Sequence, residues 1–296
     1  MALVPVRDGQ SLNVRIIGHG RSVMLLHGLG GSSAQWLPFV WPLRHAARFY
    51  LPDFRGAGAS RRVGLNQSDM FQNHVEDLED IVRHFRLTDV LLGGHSMGAT
   101  TALHWLQAGG FGDVKAYLHI DQSPCVSNQP DWPHGLLGPA QSDYFSLLRE
   151  LAAELDRHPP HTDVRTMPPM ARYRVIDLLA RAQERLGSPL PAHALRLAGR
   201  WSPLLRLLPV SRTRDLHRIV TTYLDSPDYR DSLRRCNVPV TVLVGMRSVL
   251  YSPAGQMAIA EYANECRIVP FERAGHMLPF DQPVKFLREL RRFIQR

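Results

Sequence analysis

Strand-like segments alternate with helix-like segments through the first 123 residues, and this alternation is the strongest constraint on the fold. Apolar, β-branched runs bounded by turn residues predict the strands, and helical apolar periodicity predicts the helices. The alternation favours an α/β class, a mostly parallel sheet with helices on both faces. The predicted strands are 12–17, 23–26, 48–52, 90–93 and 116–120, and the predicted helices are 34–46, 69–86 and 97–108.

The strand signal vanishes between about residues 125 and 235 and then returns. The gap contains helical patterns interrupted by proline, at 142–158, 170–186 and 192–208. Strand and helix patterns resume at 238–245, near 254–264, at 266–271 and at 282–295. We therefore predict an α/β core of residues 1–124 and 236–296 and a helical insertion, 125–235, that caps part of the core.

The segment Gly94-His95-Ser96-Met97-Gly98 matches G-x-S-x-G between an apolar strand and a helix. On a sharp strand-to-helix turn the serine hydroxyl is exposed at the sheet edge, and the flanking small residues let the backbones approach. The helix N-terminus offers the amide of Met97 to a developing oxyanion. A chance match in a glycine-rich turn is the alternative, and the strand-turn-helix context argues against it.

A second glycine-rich motif, HGLGGS, spans residues 27–32 after the predicted strand 23–26. A loop of this kind can direct a backbone amide, here that of Leu29, towards the same oxyanion. A tight turn that only joins a strand to a helix has the same composition. The two roles are compatible, and we expect the loop to serve both.

A serine alcohol is a poor nucleophile at neutral pH and needs a base within hydrogen-bond reach. His276 is the candidate base among the 14 histidines, because it lies beside Gly275 on a loop that follows the predicted strand 266–271. Most of the other histidines are explained as surface or helix residues. His158 and His161 are separated by two prolines and lack further ligands, so they predict no metal site.

Four motifs in this order resemble the α/β-hydrolase superfamily over nearly the whole chain: HGLGGS, DFRGAGAS (53–60), GHSMG and AGHMLPFDQP (274–283). The resemblance implies an eight-stranded, mostly parallel sheet, with the insertion as a lid after the sixth strand. It also implies cofactor-independent chemistry, and Asp53 and Arg55 as braces of a loop. The residue roles that it implies are Ser96 as nucleophile, His276 as base, and the amides of Leu29 and Met97 as oxyanion donors.

The acid of the usual triad is missing from its expected position. In the superfamily it follows the seventh strand, about three residues after a glycine, and here Ser248 occupies that place. Either the triad is broken, or the acid has moved to Asp121 at the end of the sixth predicted strand, where open α/β sheets build their sites. Some lipases, dehalogenases and lactonases of the superfamily resemble this placement. The alternative for Asp121 is a strand-end aspartate bonded to nearby amides.

The insertion supplies candidate substrate contacts. Trp132 is predicted to contact the substrate, with packing inside the lid as the alternative. Tyr251, which lies beyond the insertion after the predicted strand 238–245, is predicted to do the same. The alternative for Tyr251, and the expectation for Ser248 if the acid has moved, is a hydrogen-bond donor near the acid or a lid contact. Residues 125–237 contain 16 Arg, no Lys and 12 acidic residues. This basic lid favours an acyl-CoA or acyl carrier protein conjugate, unless its arginines are paired with acids on a solvated face.

Composition excludes several other classes. The net charge of +8 arises almost entirely from arginine, and no zinc-finger, RNP or basic-aromatic pattern accompanies it, so nucleic-acid binding is not expected. There is no signal-peptide pattern and no apolar run of eighteen residues, which predicts no stable membrane insertion. Cys125, Cys236 and Cys266 lack ligand spacing and are expected to be thiols of a reduced, cytoplasmic compartment.

We therefore expect a cytoplasmic serine hydrolase without metal or cofactor, acting on a small carboxylic ester, lactone or thioester. Ser96, His276 and Asp121 form its predicted triad. Two alternatives remain open at this stage. One is a non-catalytic ligand-binding protein on the same scaffold, which the substitution at Ser248 favours. The other is an acyltransferase or perhydrolase that uses the same serine.

Overall fold

The computed structural model describes residues 1–187, 189–200 and 212–296. These residues form one eight-stranded sheet of order β1-β2-β4-β3-β5-β6-β7-β8. β2 runs antiparallel to both of its neighbours, and every pairing from β4 to β8 is parallel. The strands are Ala2–Pro5, Ser11–Gly18, Arg21–Leu26, Ala47–Pro52, Val90–His95, Val114–Ile120, Val240–Gly245 and Cys266–Phe271 for β1 to β8.

Helices connect the parallel strands, and further helices follow β6. In the described residues α1 to α11 are Leu37–Val40, Met70–Phe85, Met97–Gln107, Gln141–Leu155, Pro169–Arg185, Pro189–Arg200, Thr213–Leu224, Arg230–Arg234, Pro253–Met257, Leu278–Asp281 and Pro283–Ile294. The predicted α/β-hydrolase fold class is confirmed. β1 was not predicted, because a four-residue edge strand carries too little apolar pattern to be recognised.

Two helix predictions were too long. The segment 34–46 contains a 3-10 turn, Ser33–Trp36, and only one turn of α-helix, α1. Pro42 lies just beyond α1 and has no amide with which to continue the helical bonds. The segment 254–264 is likewise α9 followed by a 3-10 turn, Ala258–Glu261.

Alternate strand residues fill two separate cores. On β3, Met24 and Leu26 join one cluster, whereas Val23 and Leu25 join the other. The first cluster contains residues of α2 and α3, and the second contains residues of α1 and α11. This period of two is what a strand buried on both faces requires. The sheet is therefore a rigid central layer that positions the loops at its carboxyl edge.

The helical segment between β6 and β7 forms a third apolar cluster, built mainly from α4, α5 and α7. Tyr251, from the loop after β7, belongs to the same cluster. α8 packs instead with the main core through Tyr229 and Leu233. Part of the predicted helix 192–208 lies outside the described residues. The boundaries 125 and 235 and the role of this segment as a lid remain predictions.

A buried hydrogen bond between Met70 and Thr222 is among the contacts that join the insertion to the core. Asp69 caps α2 by accepting from the amides of Phe71 and Gln72. The remaining amide of the first turn, that of Met70, donates to Thr222 Oγ1 on α7 at 2.9 Å, and both residues are buried. A helix start thus uses a hydroxyl of the insertion to satisfy an amide that has no partner within the helix.

We expect Thr222→Val to lower the free energy of unfolding by about 1–3 kcal/mol, because it leaves the buried Met70 amide without an acceptor. Thr222→Ser is the matched control, since it keeps the hydroxyl and removes only a methyl group. Urea unfolding followed by circular dichroism measures both. If the valine variant were as stable as the serine variant, the bond would contribute nothing.

Four histidines, His27, His74, His95 and His119, are buried in the core, and burial lowers the pKa of each. The pKa falls from 6.5 to about 3 for His74 and to about 4 for His95 and His119. In the same region burial raises the pKa of the Asp77 carboxyl to about 6. The unfolded chain therefore binds more protons on its histidines than the folded chain does between about pH 6.5 and pH 4.

Stability contributed by these histidines is present above about pH 6.5 and is lost as the pH falls towards about 4. The Asp77 carboxyl has the opposite effect on stability, because its pKa is raised, but it is a single group against several histidines. We expect the urea midpoint to fall between pH 7.5 and pH 5. His74→Phe should flatten that slope, because His74 stacks on Phe54 and neither ring nitrogen has a partner in the described residues. A midpoint that is equal or higher at pH 5 would contradict the expectation.

Candidate active site

Four neighbouring strands place the predicted site residues at one edge of the sheet. β5, β6, β7 and β8 are adjacent and parallel, so their carboxyl ends meet. Ser96 directly follows β5 and Asp121 directly follows β6. Ser248 lies three residues beyond β7, and His276 lies five residues beyond β8. The strand order therefore brings together side chains that are up to 180 residues apart in sequence.

Ser96 lies on a strained turn between β5 and α3. Its backbone has φ 54° and ψ −122°, which residues with a side chain rarely adopt. A Cβ on Gly94 would lie 2.5 Å from the carbonyl oxygen of Gly98, and one on Gly98 would lie 2.6 Å from that of Leu26. Only glycine fits at these two positions. The Ser96 side chain does not cap α3, so its hydroxyl is left available at the helix start.

Asp121 and His276 form a hydrogen-bonded pair. His276 Nδ1 lies 2.6 Å from Asp121 Oδ2, and Asp121 is 0% exposed. A carboxylate accepts this bond from Nδ1–H, which leaves Nε2 as the free ring nitrogen that can act as a base. Asp121 also has a positive φ of 45°, so the chain turns sharply as it leaves β6. The pair has the geometry that the relocated acid requires.

Three further donors surround the Asp121 carboxylate. Oδ1 accepts from the Gly245 amide at 2.9 Å and from Gln256 Nε2 at 3.1 Å, and Oδ2 also accepts from Ser248 Oγ at 2.7 Å. These donors replace the hydration that a buried carboxylate loses. Ser248, at the position where the superfamily usually has its acid, therefore donates a hydrogen bond to the Asp121 carboxylate at the end of the neighbouring strand.

His95 connects the serine turn to the histidine loop. Its Nε2 lies 2.9 Å from the carbonyl oxygen of His276, and its ring centroid lies 5.0 Å from that of His276. A carbonyl only accepts, so Nε2 carries the proton. Nδ1 is buried without a partner in the described residues, and burial lowers the pKa of His95 to about 4. His95 is therefore neutral near neutral pH and holds the backbone that carries His276.

The predicted oxyanion donors lie on either side of Ser96. Met97 is the first residue of α3, where an amide has no helical acceptor. A Cβ on Gly28 would lie 3.3 Å from Ser96 Cβ, so the glycine-rich loop passes directly beside the serine. The Gly28 carbonyl accepts from His27 Nδ1 at 2.8 Å and from the Gly31 amide at 3.0 Å. Because a trans peptide points its N–H opposite to its C=O, these bonds orient the amide of Leu29.

Asp53 and Arg55, which were predicted as braces of a loop, form hydrogen bonds that link separate segments of the core. Asp53 accepts from the amides of Ser33 at 2.6 Å and Ala59 at 2.9 Å, which ties the loop after β4 to the loop after β3. Arg55 is buried and forms a two-pronged pair with Asp77, with a further bond to Asp8. Neither residue contacts Asp121 or His276 in these bonds. Both hold the scaffold of the site.

Trp132 and Tyr251 are both buried. Trp132 Nε1 donates to Ser123 Oγ at 3.2 Å, and the guanidinium of Arg230 lies 5.1 Å from its ring centroid. Tyr251 lies in the apolar cluster of the insertion, and burial raises its pKa well above the ordinary value. Trp132 is thus held by protein contacts on several sides, and Tyr251 lies between the insertion and the core. Their contact with substrate remains a prediction.

Two residues of the site were missed by sequence reasoning. Gln256 lies on α9, whose residue pattern is that of any short surface helix, so no sequence signal distinguishes Gln256. His95 lies inside the G-x-S-x-G motif, but at the variable position, where the pattern carries no information about its partner. Both act through contacts with residues 135 and 181 positions away. A search of the described residues finds no cluster of side chains able to hold a metal ion.

Comparisons with known proteins identify the family of this chain. The sequence model of the alpha/beta hydrolase family matches residues 23–289. The AB hydrolase superfamily protein YisY of Bacillus subtilis is 25% identical over 95% of this chain and 94% of its own length. The pimeloyl-[acyl-carrier protein] methyl ester esterase of Legionella pneumophila is 23% identical over 89% of this chain and 90% of its own.

Among solved structures, a bromoperoxidase from Bacillus anthracis superposes with a TM-score of 0.72 at 18% identity, covering 100% of this chain and 99% of its own. In the described part of this chain, no helix is long and apolar enough to cross a membrane. The match to the family model spans most of the chain and includes the serine turn, Asp121 and the histidine loop. The chain therefore belongs to the alpha/beta hydrolase family.

Proposed function

We propose that this protein is a serine hydrolase that cleaves a carboxylic ester, lactone or thioester through an acyl-enzyme on Ser96. The observation that carries the proposal is the 2.6 Å bond between His276 Nδ1 and the buried Asp121 carboxylate, beside the strained turn that exposes Ser96. A nucleophile needs a base, and the base needs a group that fixes its tautomer. A scaffold used only for binding has no need of either.

In this mechanism Ser96 Oγ attacks the substrate carbonyl while His276 Nε2 takes its proton. Asp121 holds the imidazole orientation and stabilises the imidazolium that forms. The amides of Leu29 and Met97 donate to the tetrahedral oxyanion, and His276 then protonates the leaving group. Water, deprotonated by His276 Nε2, then attacks the acyl-enzyme. The tetrahedral intermediate collapses, the acid is released, and His276 returns the proton to Ser96 Oγ. Apart from substrate and water, each step uses only residues of this chain.

The relatives support an ester as the bond that is cleaved. The Legionella protein is named as an esterase of a methyl ester carried by an acyl carrier protein. We extend this to a small-molecule ester, lactone or thioester, with a carrier-protein or CoA conjugate as one possible form. The helices α4 to α7 are proposed as the lid over the site, with Tyr251 and Trp132 as substrate contacts.

A second candidate is acyl transfer to a peroxide by the same serine. A bromoperoxidase has the same fold, and a non-heme haloperoxidase of Rhodococcus erythropolis is 31% identical over 46% of this chain. The acyl-enzyme is common to both reactions, and only the nucleophile that attacks it differs. Assaying the acyl-enzyme with water and with hydrogen peroxide as competing acceptors separates them.

We expect a fluorophosphonate probe to label the wild-type protein rapidly and Ser96→Ala not at all. Asp121→Asn should slow labelling on the order of 10⁴-fold, because the imidazole loses the partner that fixes its tautomer and charge. Asp113→Asn, on an exposed turn, is the matched control and should label like the wild type. Labelling rates are followed by gel fluorescence and confirmed by mass spectrometry of the Ser96 peptide.

The outcomes separate the alternatives. Absence of wild-type labelling by probes of several sizes would favour a ligand-binding protein instead of an enzyme. Rapid labelling that is unaffected by Asp121→Asn would keep the serine hydrolase and reject Asp121 as its acid.

A second experiment tests the position of the acid. Ser248 Oγ lies 2.7 Å from the Asp121 oxygen that accepts from His276. We expect Ser248→Asp, introduced into Asp121→Asn, to restore at least about tenfold of the lost labelling rate, because it returns a carboxylate to the reach of His276 Nδ1. In the wild type the same substitution should destabilise the fold, because two buried carboxylates would then be in contact.

Ser248→Asn in the Asp121→Asn background is the uncharged control. If it recovered as much labelling as the aspartate, the recovery would reflect packing and not a relocated charge. Failure of both, with the fold intact, would mean that only Asp121 can orient His276.

A further inference from the structure

Basic residues are concentrated away from the candidate site, on a surface that we name the α11 face. It comprises residues 18–21, 41–46 and 283–296. These three segments contain seven basic residues and a single acidic residue, Glu289, although the whole chain has a net charge of only +8. The basic residues are Arg21, Arg44, Lys285, Arg288, Arg291, Arg292 and Arg296.

The single acid does not neutralise this face. Glu289 is buried, and it accepts from Arg267 on β8 at 2.9 Å. Arg292 and Arg288 lie 3.4 and 3.9 Å from its other oxygen, so one carboxylate is shared among three cations. Arg44 and Arg291 have no acidic partner in the described residues. The α11 face therefore retains most of its positive charge.

The insertion, which was predicted to be the basic surface, differs in this respect. Arg157 and Arg174 share Glu154, Arg165 pairs with Asp163, and other arginines of the described insertion are paired in the same way. Many of its arginines thus have nearby acids, as expected for a solvated helical surface, and others, such as Arg149 and Arg185, have none in the described residues. The two surfaces differ in their excess of basic residues: 16 arginines against 12 acids in residues 125–237, and seven basic residues against one acid on the α11 face.

An apolar groove runs along the α11 face. It has a volume of about 570 Å³ and lies between α11 and the segment that links α1 to β4. Val284 projects from it with 82% of its surface exposed, and the side chain of Arg288 is 67% exposed. Trp41, beside the groove, is 58% exposed and lies under the guanidinium of Arg44. The groove is lined by Pro42, Leu43, His45, Ala46, Val284, Leu287, Arg288 and Arg291.

We propose that this groove binds an acidic amphipathic helix of a partner protein. A helix presents apolar side chains at every third and fourth position, which suits a narrow groove with an apolar floor. Carboxylates that flank those apolar side chains would lie against Arg288 and Arg291, which line the groove. Arg44, over the Trp41 ring beside the groove, adds a further positive charge nearby. Charge complementarity thus selects an acidic partner, and the groove selects a helical one.

A bilayer surface matches the groove less well. Anionic lipids would be attracted to the same arginines, but a flat interface cannot fill a concave floor. Leu43 forms part of that floor and is buried, so it is reached only by a side chain that enters the groove. The α11 face thus favours a protein segment over a membrane, and the experiment includes both.

The test uses a fluorescein-labelled peptide of about 18 residues, with leucines at helical spacing and glutamates on both sides of the leucine stripe. A scrambled peptide of the same composition lacks the apolar stripe. We expect saturable binding of the helical peptide by fluorescence anisotropy at low ionic strength, weakened by salt because exposed charges are screened. The scrambled peptide should bind on the order of tenfold more weakly.

Two variants locate the binding site. Arg288→Glu/Arg291→Glu should weaken peptide binding on the order of tenfold, because it replaces charge attraction with repulsion. Val284→Asp should have an effect of the same size, because it removes an apolar contact of the groove and adds a negative charge. Arg61→Glu/Arg62→Glu is the matched charge control, because these two arginines are exposed on a distant loop. All variants should retain the wild-type circular dichroism spectrum and the wild-type rate of fluorophosphonate labelling.

Several results would overturn the proposal. These are equal binding of the helical and scrambled peptides, equal losses in the control variant, or no saturable binding to the wild type. Tighter binding to vesicles of phosphatidylcholine and phosphatidylglycerol, abolished by the same α11 variants, would identify a membrane surface instead. Self-association lost in Val284→Asp, measured by sedimentation, would identify a second copy of this chain. Because labelling is measured in parallel, failure of this proposal is distinguishable from failure of the proposed catalytic function.

Discussion

The buried carboxylate of Asp121 is the interaction on which the geometry of the site depends. It lies at the end of β6 and accepts from donors on the loop after β7, on α9 and on the loop after β8. A carboxylate with no exposed surface persists only when its oxygens are hydrogen-bonded. The same four bonds that satisfy this charge also hold three separate loops in one arrangement, so the position of His276 follows from the burial of Asp121.

The serine turn is held by a different set of contacts. Its unusual backbone is maintained because the glycines on either side allow β5, α3 and β3 to approach more closely than any side chain would permit. His95 then links this turn to the carbonyl of His276. The strained serine turn and the loop that carries His276 are thus joined through a buried, neutral imidazole. Strained residues of this kind persist where the surrounding packing over-determines them.

The number of arginines on a surface of this protein shows its effective charge only when the acids near those arginines are known. The insertion and the α11 face are both rich in arginine. Twelve acids accompany the 16 arginines of residues 125–237, and many of them form ion pairs, whereas the α11 face has one acid, which is buried and shared. The net charge of the chain therefore describes neither surface. The unpaired cations are located by the tertiary structure, beside an apolar groove that no sequence pattern reveals.

The sequence by itself determined the fold class, the order of most strands and helices, and three motifs of the site, because each depends on neighbouring residues. Apolar periodicity reports burial of one face, and the glycines around Ser96 and His276 report tight turns. Asp121 was reached from the sequence only as one of two readings, since a strand-end aspartate also caps amides. The strand order places β6 between β5 and β7 and brings the Asp121 carboxylate to His276, whereas the role of Asp121 as the triad acid stays a prediction. The hydrogen bonds that Ser248, Gln256 and His95 form in the site join residues at least 124 positions apart in the sequence, and no local pattern encodes such distances. They exist only because the carboxyl ends of four parallel strands meet at one edge of the sheet.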